Sequence, residues 1–141
     1  MKIDEKRLED AVALAEKEGL FTKLQALYGT IPSGRCAGCA RCCAESVNAF
    51  YVEFLAVWNR MHHDPALKAR LMPRIISHYM LEMVQRASCP FLDEDGRCAV
   101  YSERPLVCRQ FGHWSRKDFN RNIEAVLKSN RKAAAYYHKT Y

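Results

Sequence analysis

Residues 36–61 read CAGCARCCAESVNAFYVEFLAVWNRM. The first eight hold four cysteines, Cys36, Cys39, Cys42 and Cys43, spaced C-x2-C-x2-C-C. Two thiols separated by two residues suit chelation, because one tight turn brings both sulfurs to the same side of the chain, within reach of a single tetrahedral centre. From Val47 the character changes: Phe50, Tyr51, Phe54, Val57, Trp58 and Met61 recur every three or four positions. That period predicts an amphipathic helix with a broad buried stripe, starting at the cysteines. A thiol-rich loop feeding a helix predicts a mainly α fold, a small helical bundle with a cysteine-rich metal-binding loop.

The same period extends to either side. Leu8, Val12 and Ala15, then Leu20 or Phe21, Leu24 and Leu27, predict two helical segments between Asp4 and Tyr28, interrupted at Gly19 and closed by turn residues 30–34. Beyond Met61, His62-His63-Asp64-Pro65 breaks the pattern, and Pro65 is read as opening a short helix. Pro73 then opens another that runs to about Ala87, with Met80 and Met83 at core spacing. Asp95-Gly96, between CPFL at 89–92 and CAVY at 98–101, predicts a short β-hairpin with Cys89 and Cys98 on neighbouring arms. Ser102 is expected to cap a short helix that has Pro105 in its first turn and carries Cys108. A last helix is expected from about Asp118. With 141 residues, 49 % of them hydrophobic, the chain reads as a single domain, 1–141, with the cysteine motif at 36–111 inside it.

Seven cysteines are an odd number, so a complete disulfide framework is excluded. The N-terminal residues include Asp4 and Glu5 and lack an apolar signal-type stretch, and no run approaches the ~18 apolar residues of a membrane span. The expected location is the cytoplasm, where thiols stay reduced and metal is favoured over disulfide. The net charge is +6, and between Arg109 and Tyr141 eight Lys or Arg face only Asp118 and Glu124. This basic C-terminal helix is available to a protein partner. Nucleic acid is not expected, since no nucleic-acid-binding motif accompanies the basic residues.

Four further elements, CPFL at 89–92, GRC at 96–98, Tyr101 and RPLVCR at 104–109, combine with CAGCARCC into a pattern that closely resembles the CxxCxxCC, or YkgJ-like, cysteine-cluster family. The resemblance covers roughly Cys36 to Phe111 and includes all seven cysteines. It implies a zinc- or iron-chelating domain whose ligands come from Cys36, Cys39, Cys42, Cys43, Cys89, Cys98 and Cys108. The pattern is also similar to the cysteine domain of flagellin lysine methylases, which is associated with an iron–sulfur cluster.

Within that set, Cys36, Cys39 and Cys42 reproduce the first three spacings of a bacterial ferredoxin motif, and Cys89-Pro90 supplies the remote Cys-Pro that ends it. The expected cofactor is an iron–sulfur cluster of [4Fe-4S] type; zinc or mononuclear iron is the alternative. No second C-x2-C knuckle follows Cys89, which weakens a zinc-ribbon reading. The expected role is metal or cluster binding with electron transfer or sensing; the alternatives are an iron–sulfur enzyme component related to protein lysine methylation and a structural zinc module. No catalytic residue is assigned. Arg35, Arg41, Arg97 and Arg109 flank the cysteines and could lower their thiol pKa values. His62 and His63 are weaker ligand candidates, His113 stands close to Cys108, and Glu45 and Glu53 are read as solvated.

Overall fold

The computed structural model describes residues 4–31, 40, 42–44, 47–81, 85, 87–111, 115, 117, 121 and 128. Five α-helices appear among them: α1 Glu5–Lys17, α2 Leu20–Gly29, α3 Tyr51–His62, α4 Pro65–Leu81 and α5 Leu106–Gln110. Short 3₁₀ turns occupy Cys42–Ala44 and Tyr101–Glu103.

The helix starts follow local chemistry. The Asp4 carboxylate accepts the Arg7 N–H and so caps α1. Gly19, at φ +65°, turns the chain into α2 as expected, a conformation that costs glycine little. Asp64 accepts the Leu67 N–H and caps α4, with Pro65 at the first helical position.

Two apolar clusters meet on α3. Leu55 and Trp58 pack with Val12 and Ala15 of α1, and Val57 and Met61 pack with Leu67 and Leu71 of α4 and with Val100. Met72 touches both clusters. Val100 is 2 % exposed, so the segment after α4 is tied into the core by this valine, with Phe91, Cys98 and Ala99 packed beside it.

Several expectations are corrected. α3 does not begin at the cysteines; residues 47–50 precede it outside any helix, and its first turn forms where Glu53 reaches back to the Phe50 N–H. Its buried stripe is narrower than expected, because Phe50, Tyr51 and Phe54 are exposed, the last two stacked on each other. Pro73 does not open a helix. It lies inside α4, where tertiary packing of Leu67 and Leu71 carries the helix through a residue that removes one backbone hydrogen bond. Met80 is 67 % exposed and so is no core residue.

The predicted β-hairpin is also absent: the described residues contain no strand, and only an isolated antiparallel bridge joins Leu92 to Cys98. The Asp95-Gly96 reversal itself forms, with Gly96 at φ +78° and the Asp93 N–H donating to the Arg97 carbonyl. Its arms are too short for a ladder, since turns at Cys89–Leu92 and Val100–Glu103 close them on both sides. Nor does Ser102 cap the helix of Cys108. Pro105 holds Arg104 extended (φ −56°, ψ 138°), so α5 starts at Leu106 and the Ser102 hydroxyl donates to Glu103 instead. Of the expected last helix, Lys117, Arg121 and Lys128 are helical, and the rest lies outside the described residues.

Candidate metal centre

Cys43 lies in the 3₁₀ turn Cys42–Ala44, which opens with the Cys43 N–H donating to the Ala40 carbonyl at 3.1 Å. Ala40 has φ +53°, a left-handed conformation that costs a residue with a Cβ roughly 1–2 kcal/mol. The Cys89 N–H then donates to the Cys43 carbonyl at 2.7 Å. This one bond joins the N-terminal cysteine run to the later Cys-Pro across 46 residues of sequence.

Cys89 continues the turn, its carbonyl accepting the Leu92 N–H at 3.1 Å, and Leu92 bridges to Cys98. Cys98 packs against the α3–α4 cluster. Cys108 rides on α5. Cys43, Cys89, Cys98 and Cys108 are all half-buried.

What positions α5 is a residue misread from the sequence. Glu53 is 1 % exposed, not solvated. Its Oε2 accepts the Phe50 N–H at 2.9 Å, and its Oε1 accepts both the Tyr28 hydroxyl at 3.1 Å and the Leu106 N–H at 2.6 Å. One carboxylate thus ties the end of α2, the start of α3 and the start of α5, the helix of Cys108. The sequence signal was present in part: Glu53 interrupts the apolar face of α3 at the third helical position, where an acid can bind back to the helix start.

Burial, and then the charge of Glu53 and its hydrogen bond, hold the Tyr28 hydroxyl well above its ordinary value near 10; Arg109 opposes this in part. The Arg109 guanidinium lies 3.9 Å from the centre of the Tyr28 ring. It also donates to the Arg104 carbonyl at 3.0 Å and to the Ser102 carbonyl. Arg109 therefore braces the chain around Cys108. Arg97 instead is exposed beside Asp95.

The histidines of α3 stand elsewhere. His62 Nε2 is 3.7 Å from Glu9 of α1, and His63 Nδ1 is 2.9 Å from the Asn59 carbonyl, both at the far end of the helix from Glu53. Glu5, Glu9 and His62 are the donors that cluster within 4.8 Å among the described residues. They are exposed, and Glu5 pairs with Lys68 at 2.9 Å. The four described cysteines alone do not make such a cluster of three. Cys36 and Cys39, the side chain of Cys42, and also Arg35, Arg41, Glu45, Met83 and His113, lie outside the described residues.

The donor set fits zinc or iron chemistry, being soft sulfur contributed from two segments that a direct backbone hydrogen bond brings together. No helix of the described residues is long and apolar enough to cross a membrane. A family model, CxxCxxCC, described as "putative zinc- or iron-chelating domain", matches residues 35–132. Neither a curated protein nor a solved structure matches the chain.

Proposed function

Since the chain belongs to the CxxCxxCC family of zinc- or iron-chelating domains, we propose that it holds an iron–sulfur cluster of [4Fe-4S] type on Cys36, Cys39, Cys42 and Cys89 and serves in electron transfer or sensing. The observation that carries this reading is the 2.7 Å hydrogen bond from the Cys89 N–H to the Cys43 carbonyl. It draws the remote Cys-Pro to the backbone at the end of the run with ferredoxin spacing, which supports Cys89 as the fourth ligand. A cluster of this kind supplies one-electron chemistry when bound. Cys43, Cys98 and Cys108 complete the sulfur-rich surroundings, and Glu53 with Arg109 holds the helix that delivers Cys108.

Anaerobic purification tests this. Expected are a brown protein with broad visible absorbance and iron and acid-labile sulfide in equal amounts, all lost on Cys89→Ser. A colourless protein with one equivalent of zinc would replace the cluster by the zinc alternative.

A further inference from the structure

Between the second half of α4 and residues 87–92 lies a cleft of about 390 Å³, within the size range of small-molecule sites. Arg74, Ser77 and His78, at positions i, i+3 and i+4, form its helical wall, and Cys89 stands in the opposite wall with Pro90 and Leu92. A guanidinium and a hydroxyl thus face a thiol across a space partly lined by carbon. We propose that this cleft receives a small carboxylate-bearing molecule, its carboxylate on Arg74 and its short apolar body against Pro90 and Leu92, so that it lies beside Cys89.

The charge balance favours an anion. Among the described residues, Arg70 pairs with Asp93 and Arg74 Nη1 lies 3.6 Å from the same carboxylate, so two guanidiniums share one counter-charge. Arg74 also donates to the Leu92 carbonyl. That bond holds the guanidinium at the cleft, and with Nη1 also near Asp93 the N–H groups that remain offer charged donors to a carboxylate. The C-terminal end of α4 brings negative partial charge nearby, but it amounts to about half a unit against the full charge of Arg74. One of its last carbonyls, that of Leu81, is already taken by the Gln85 N–H at 2.9 Å. Inorganic phosphate would engage Arg74 without using the apolar wall. That the bound molecule lies beside a ligand of the metal centre rests on the cluster reading above; its binding in the cleft does not.

The test uses the full chain as purified, with its metal content measured, titrated by butyrate, by the neutral isostere butyramide and by inorganic phosphate while backbone amides are followed by NMR. Saturable butyrate binding in about the millimolar range is expected, with shifts at Ser77 and Leu81 and none from butyramide. Arg74→Gln should weaken binding about tenfold or more. Because that change also removes the bond to Leu92, Ser77→Leu provides a second arm: it adds bulk at an exposed position and should abolish binding with metal content and circular dichroism unchanged. Absence of saturable butyrate shifts, phosphate binding more tightly than butyrate, or butyrate binding undiminished in Ser77→Leu would overturn the inference. Metal-loaded protein that ignores butyrate removes the cleft assignment alone, whereas metal-free protein that binds it at these residues retains the assignment and removes the cluster reading.

Discussion

Glu53 concentrates three hydrogen bonds on one buried carboxylate, and each donor it serves belongs to a different element. Removing the acceptor leaves the Leu106 N–H and Tyr28 hydroxyl unsatisfied, at about 1–3 kcal/mol each. Glu53→Ala should therefore lower unfolding stability by about 3 kcal/mol or more, read from urea denaturation; a midpoint equal to the parent's would show that water replaces the carboxylate without loss. Tyr28 yields a pH prediction from the same contact. Its hydroxyl is held neutral by burial and by the adjacent negative charge, so its pKa is raised in the fold relative to the unfolded chain. A group shifted in that direction contributes stability that is intact below pH 10 and declines as pH rises above it. Stability against pH should fall more steeply above pH 10 in the parent than in Tyr28→Phe, with the two curves parallel below that point. Parallel curves throughout would remove Tyr28 from the alkaline limb.

At the scale of elements, α4 carries Pro73 in its interior, where the ring removes the hydrogen bond to the carbonyl four residues earlier. The helix persists because Leu67 and Leu71, 8 % and 0 % exposed, pack on α3 from one face of it. Pro73→Ala should restore that bond and raise stability, by up to about 3 kcal/mol, the intrinsic difference between the two residues in a helix interior. Thermal unfolding measures it, and a lowered Tm would show instead that the ring's packing and its restriction of the unfolded chain outweigh the restored bond. The short helix α5 has the opposite character. It is held at its start by Glu53 and by Pro105, so its position is set by α3 and not by its own length.

Over the whole molecule, as far as the described residues show, the α1–α3 cluster contains no cysteine, while the α3–α4 cluster meets one, Cys98. Metal removal by a chelator under reducing conditions should accordingly loosen residues 87–111 and leave α1 and the middle of α3 folded. Hydrogen exchange checks this: amides of Val12, Ala15 and Leu55 should stay protected after chelation while those of Cys89, Ala99 and Arg109 exchange faster. Uniform loss of protection would make the metal a condition for the entire fold.

Periodicity and spacing determined that the chain is mainly helical, that Gly19 divides the first two helices, that Asp95-Gly96 reverses the chain, and that a thiol-rich motif suited to chelation is present, while the zinc- or iron-chelating type came from the resemblance to the CxxCxxCC family. These are local matters, decided by residues three or four apart or by the φ that glycine permits. Tertiary structure alone decided the rest: that Glu53 is buried, that α4 runs through Pro73, that the ribbon reduces to one bridge, and that Cys89 is bonded to the backbone of Cys43. Each depends on partners far along the chain, and a carboxylate reads as solvated until the three donors that converge on it have been brought together by folding.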